Sequence, residues 1–399
     1  MFLEIIIALA IGIIAGTITG LAPGIHVNLV SAFLLAITPL LALQPLVLVV
    51  FIVAMTTTHT FVDFIPSIFL GSPDESTGLA ILPGHELLLK GKGYEAVILT
   101  LYGSTLGILL ILLLTPIFIF VLPKIYLYLK IIMFFILLLT QIYLLIREKS
   151  SLALLVFLLS GFLGLATLNL SMKQSLLPLL TGLFGASSLI TSISKKQKLP
   201  KQKVYSFKKI KINKKELIKP GIAAFLSAPL CSFLPALGSN QAAVIGSDIV
   251  ESTSRREFLI LLGAINTIVA GLSFVALYSI QEARTGTAVA VNKLVENLSV
   301  SNLILILVAI LVSGFFAFFL TIAISKFFAR KISLINYNKL SFFILLILSL
   351  IVLIFSGFLG FLVFLVAAAT GLTAILLGVR RTNLMGSLML PAILLYLPF

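Results

Sequence analysis

Two prolines, each followed five residues later by an asparagine, break apolar stretches near the start of each half of this chain: Pro23-Gly24-Ile25-His26-Val27-Asn28 and Pro235-Ala236-Leu237-Gly238-Ser239-Asn240. Proline removes a backbone donor and glycine relaxes the chain, so a helix interrupted there leaves amides and carbonyls without intrahelical partners. A helix amino terminus exposed in this way attracts an anion, whereas freed carbonyls with Asn or Ser oxygens suit a sodium ion. Asn28 and Asn240 are the first candidates for both tasks, with Ser239 as a further oxygen ligand and Pro23, Gly24 and His26 shaping the first break. A single break reads better as a proline kink whose asparagine bonds the kink itself; matched breaks in both halves favour a site.

Charge inside apolar sequence is the second signal. Two polar islands, Gly71-Ser72-Pro73-Asp74-Glu75-Ser76-Thr77-Gly78 and Ser279-Ile280-Gln281-Glu282-Ala283-Arg284-Thr285-Gly286, each end in Thr-Gly. With Asp63 they hold the charges expected at membrane depth, where charge is costly unless paired, hydrated or functional. Arg284 suits a substrate carboxylate, and Asp63 and Asp74 suit ion coupling. The competing reading makes both islands ordinary solvated loops. The histidines, His26, His59 and His85, all fall in the first ninety residues and suit a proton relay, but they lack metal-site spacing. No metal, cofactor or disulfide is expected, since the one cysteine, Cys231, has no partner for a bridge. Asp74-Glu75 is the only adjacent acidic pair in the islands, and neighbours in sequence rarely converge on one bond, so an enzyme is not expected.

The elements that must position these residues are membrane helices. Of 399 residues, 60% are hydrophobic and 10% charged, and the mean hydropathy is +1.23, a balance that requires lipid as solvent. Uncharged runs such as Ile5–Val62, Phe258–Gln281 and Leu340–Val379 exceed the ~20 residues that span a bilayer as helix, and dividing them by span length gives roughly 10–13 crossings. They are continuous rather than alternating, which excludes a barrel, so the fold class is all-α: a polytopic transmembrane helical bundle with broken or re-entrant helices. The amino terminus has no basic region or cleavage site and reads as a retained first span.

The formal charge of +15 suggests nucleic acid, but Lys195 to Lys219 alone holds eleven lysines against one acid, Glu216. Such a loop between apolar blocks is assigned to the cytoplasm by the positive-inside rule, and it offers no aromatic platform for bases. It also sits at mid-chain, between two similar halves: residues 1–194 and 220–399, joined by the linker 195–219. Ser160-Gly161-Phe162-Leu163-Gly164 returns as Ser356-Gly357-Phe358-Leu359-Gly360. Duplication with matched broken helices points to a secondary transporter in the cell membrane; an odd number of crossings per half inserts the halves in opposite senses, an even number in the same sense, and the former is favoured. A translocase of a lipid-linked polyprenyl phosphate would use the same parts, and a channel is a more distant reading.

Three blocks carry a resemblance to a known family: Gly16-Thr17-Ile18-Thr19-Gly20-Leu21-Ala22-Pro23-Gly24; Gly71-Ser72-Pro73 through Pro83-Gly84-His85 to Lys90-Gly91-Lys92-Gly93-Tyr94-Glu95-Ala96; and Leu180-Thr181-Gly182-Leu183-Phe184-Gly185. The chain resembles the large permease subunit of tripartite tricarboxylate transporters, the TctA type, in a shorter, archaeal-like branch. The resemblance implies sodium-coupled import of citrate-like carboxylates, with a small membrane subunit and an extracytoplasmic binding protein as partners; the residues themselves allow a di- or tricarboxylate coupled to sodium or protons, and membrane lipid and a homodimer are further expected contacts. It makes Pro23, Gly24, Asn28, Ser72 and Pro73 site candidates. His26 after the Pro-Gly break and the acidic Asp74-Glu75 depart from that pattern.

Overall fold

The computed structural model describes residues 2–397 apart from 23–25, 42, 72–76, 78, 80, 149, 173, 195–199, 206–209, 211, 235–236, 251–253 and 333–336. Lipid offers no partner to a backbone amide, and the described chain accordingly satisfies itself as helix. The first half comprises α1 (Phe2–Leu21), α2 (Val27–Leu41), α3 (Pro45–Val62), α4 (Phe64–Phe69), α5 (Ile81–Leu89), α6 (Gly93–Phe120), α7 (Leu122–Ile131), α8 (Met133–Glu148), α9 (Ser151–Asn169), α10 (Leu176–Leu180), a π-helical stretch (Thr181–Ala186) and α11 (Ser187–Ser194). The second comprises α12 (Lys214–Phe233), α13 (Ser239–Ile249), α14 (Arg255–Ile280), α15 (Gly286–Leu294), α16 (Val300–Lys331), α17 (Tyr337–Leu376), a 3₁₀ turn (Arg381–Met385) and α18 (Gly386–Leu395).

Local chemistry sets these boundaries. Pro45 opens α3 at a position where its missing amide costs nothing. Ser254 and Glu257 bond each other's backbone amides at the start of α14, the reciprocal arrangement that satisfies two orphan donors. Among the described residues, seven helices are long and apolar enough to cross a membrane, or up to eight if the α7–α8 pair, bent by 78°, is one span. This is fewer than the uncharged runs suggested, because some of that apolar length is spent on pieces too short to cross alone. Such pieces include α2 with 15 residues, α13 with 11 and α15 with 9.

Helices of the two halves interleave. One hydrophobic core joins α3, α6, α12, α14 and α16, and a second joins α9 and the π-helical stretch to α17. At the centre, α6 and α14 approach until backbones touch. A Cβ on Gly103 would collide with the Ile260 carbonyl, and one on Gly263 with the Thr100 carbonyl. Small residues at such crossings permit the close packing that replaces hydrophobic driving force in lipid.

Four contacts establish direction. Phe69, at the end of α4, lies against Phe328 near the end of α16, ring centroids 6.0 Å apart, and a Cβ on Gly93, at the start of α6, would meet Phe69 at 3.0 Å. At the start of α14, Arg256 ion-pairs with Glu95 of α6 and, at 2.9 Å, with Glu216 of α12. The lysine-rich linker is stapled to this same end: Lys203 N donates to the Gly91 carbonyl at 2.7 Å and Gly93 N to Gln202 Oε1 at 2.9 Å. Gly91 carries the left-handed φ of +74° that this turn requires. Thus α3–α4 and α16 end where α6, α12 and α14 begin, and α3 runs opposite to α14.

Candidate functional site

The two helices that restart after the proline breaks are built differently. At the start of α2, the backbone amide of Asn28 donates to His26 Nδ1 at 3.2 Å, so His26 satisfies one of the orphan donors of the helix end. At the start of α13, Gly238 N donates to Gln241 Oε1 at 2.9 Å. This folds the Gln241 carboxamide back over the helix end with its Nε2 buried and, among the described residues, without a hydrogen-bond partner. Ser239, Asn240 and Gln241 are all buried. The Arg284 guanidinium donates to the Leu237 carbonyl, tying the second island to the second break.

Each break is held by the island of the opposite half. Asn240 Oδ1 accepts the amide of Leu79 at 3.3 Å, directly after the first Thr-Gly. Gly286 of the second Thr-Gly packs on Asn28 so closely that a Cβ there would stand 2.7 Å from Asn28 Cγ. The threonines of the two islands are anchored alike: Thr77 to Ser67 at 2.6 Å and Thr285 to Ser273 at 3.0 Å. Thr285 Oγ1 also accepts the Ala288 amide at 3.2 Å and so caps α15.

Behind the breaks, α3 and α14 carry a buried polar column. His59 and Asp63, one helical turn apart, share a face of α3 and are 3% and 2% exposed. Their Nε2 and Oδ2 atoms lie 4.0 Å apart. Asn266 of α14 donates to Asp63 Oδ2 at 2.8 Å, and His59 Nδ1 meets Thr19 Oγ1 of α1 at 3.1 Å. The His26 ring stands edge-on to His59, centroids 5.3 Å apart, and Thr60 meets Thr267 at 3.3 Å. A carboxylate, an imidazole and amide and hydroxyl groups converging inside lipid can take up a proton or a small hard cation.

Of the residues singled out from sequence, Asn28, Asn240, Ser239 and Arg284 are gathered at the breaks, and His26 and Asp63 join the column. Glu282 lies apart, half exposed and 3.3 Å from Lys130. Pro23, Gly24, Ser72, Pro73 and Asp74 lie outside the described residues. Sequence reasoning did not single out Gln241, Asn266 and Thr267, and Thr19 entered only as part of a family block; their signal was a short polar step within a helix.

The sequence profile of the Tripartite tricarboxylate transporter TctA family matches residues 6–386, a range that takes in both breaks, both islands and the column. The chain belongs to the TctA family. It is thus a multi-pass membrane protein and a component of a tricarboxylate transporter. An uncharacterized protein of Methanocaldococcus jannaschii is 33% identical to this TctA chain over 399 residues, covering 98% of each. No solved structure matches it.

Proposed function

We propose that this TctA chain is the permease that moves a small organic anion, a di- or tricarboxylate, across the cell membrane with sodium or protons as the coupling ion. The observation that carries this reading is the reciprocal hold on the two breaks, Asn240 by Leu79 and Asn28 by Gly286. Two broken helices, each closed by the opposite repeat, make a site at the repeat interface that either side of the membrane can reach by the same rearrangement.

The start of α13 is the stronger anion subsite. Its amides, the Gln241 Nε2 donor and the nearby Arg284 cation complement a carboxylate. The His59–Asp63–Asn266 column is the coupling site, since a buried carboxylate changes its interactions most when its counter-cation leaves. The lysine-rich linker supports a cytoplasmic assignment for the end where α6, α12 and α14 begin. The polyprenyl phosphate reading is not favoured by the family match. A small membrane subunit and an extracytoplasmic binding protein complete the assembly in this reading.

The test is uptake of labelled citrate and of smaller dicarboxylates into liposomes holding the purified chain, under imposed sodium or proton gradients. Gradient-driven accumulation that Asn28→Ala and Asn240→Ala both abolish supports the paired site. Failure to accumulate any carboxylate, with the partner subunits supplied, would overturn it.

A further inference from the structure

A groove of about 390 Å³ runs between α6 and α12, lined wholly by apolar residues, among them Leu106, Leu110, Gly221, Ile222, Phe225 and Leu226. It exists because Gly221 has no side chain: a Cβ there would already lie 3.3 Å from Leu106 Cδ2. The α12 wall, residues 217–226, covers about 14 Å of helix, close to the ~15 Å of hydrocarbon in one leaflet.

The charges at its end say what fills it. The stripe of α12 that forms the wall, Ile218, Ile222 and Leu226, continues backwards at helical spacing to Lys214 and Lys215, and Lys219 flanks its first turn; all three lysines are exposed. Among the described residues none of these lysines forms a salt bridge, whereas the one acid of that turn, Glu216, is engaged by Arg256 at 2.9 Å. The end of the wall therefore presents three uncompensated cations beside an apolar slot at the membrane boundary.

We propose that the groove between α6 and α12 holds one acyl chain of an anionic membrane lipid whose phosphate rests on Lys214, Lys215 and Lys219. The headgroup supplies the counter-charge, and the chain packs where Gly221 leaves room. This lipid site is separate from the breaks and does not depend on the identity of the cargo.

The full chain in detergent is incubated with an equimolar mixture of phosphatidylglycerol and phosphatidylcholine, and retained lipid is read by native mass spectrometry. Wild type retains one lipid and prefers phosphatidylglycerol, by roughly fivefold for each engaged lysine. The triple variant Lys214→Ala, Lys215→Ala, Lys219→Ala, altered only at exposed positions, retains lipid with the preference reduced towards parity. Gly221→Phe, which fills the slot, loses the retained lipid. The proposal is overturned if wild type retains no lipid, or shows no headgroup preference. It is overturned too if the triple variant keeps that preference, if folded Gly221→Phe protein holds as much lipid as wild type, or if wild type appears as a dimer that Gly221→Phe dissociates, which would give the groove to a second copy of the chain.

Discussion

Asn28 packs against Gly286 with no room for a single added carbon, although 258 positions separate them in the chain. The contact has a counterpart in the Leu79 amide held by Asn240. Each half thus supplies a contact to the helix that restarts after the other's break, while Arg284 adds one within the second half.

Gly286→Ala tests the first clamp. The added Cβ would lie 2.7 to 2.8 Å from Asn28 Cγ, Cβ and Oδ1, so α2 or α15 must shift. Gradient-driven uptake should fall about 10- to 100-fold, the range expected when a hydrogen bond to a charged ligand is lost, with the thermal midpoint in detergent changing by only a few degrees. Unimpaired uptake would show that this approach is packing alone.

Asp63→Asn keeps the shape of the column and removes its charge. Accumulation against a gradient should disappear, while exchange of labelled for unlabelled carboxylate across the membrane persists, because exchange returns the carrier loaded and needs no net ion movement. Parallel loss of both activities would instead assign Asp63 to folding or to cargo binding.

The breaks and islands were legible because proline, glycine and clustered polar residues stand out against apolar runs. Asp63 was legible because a carboxylate there is expensive. That the helix restarting after each break contacts the other half was not, since nothing in sequence spacing encodes a contact such as Leu79 to Asn240. Asn266 and Thr267 sit in α14 like any occasional polar residue, and only the crossing with α3 gives them partners. The repeated Ser-Gly-Phe-Leu-Gly shows the limit in another way. Ser160 donates to the Asn383 carbonyl at 3.1 Å and Ser356 to the Gln174 carbonyl at 3.2 Å, each across to the other half. Yet Gly357 breaks its helix with a φ of 71°, whereas Gly161 lies inside continuous α9. Identical residues meet different neighbours, and the backbone follows the neighbours.

Glu95→Gln should destabilise the chain without touching the site. Glu95 is 9% exposed at its side chain and bonded to Arg256, itself 28% exposed. Breaking the pair is expected to cost about 2 kcal/mol, below the fully buried value because water still reaches the arginine and Glu216 remains as a partner. The thermal midpoint should drop and should recover in part when Arg256 is also replaced by Met. No recovery in the double variant would mean that Glu95 acts through some contact other than this pair.

Gly263→Ala probes the crossing that holds the column in place. Its Cβ would collide with the Thr100 carbonyl, a backbone atom that cannot rotate away, and the reciprocal contact of Gly103 with the Ile260 carbonyl prevents α6 from sliding to relieve it. The helices must separate, at a cost of about 1–3 kcal/mol for overpacking. Because Asn266 lies one turn beyond Gly263, separation also draws its amide away from Asp63, now 2.8 Å distant. Stability and gradient-driven uptake should therefore fall together in Gly263→Ala. If Gly263→Ala proves as stable as wild type, α6 and α14 do not pack backbone to backbone in the membrane.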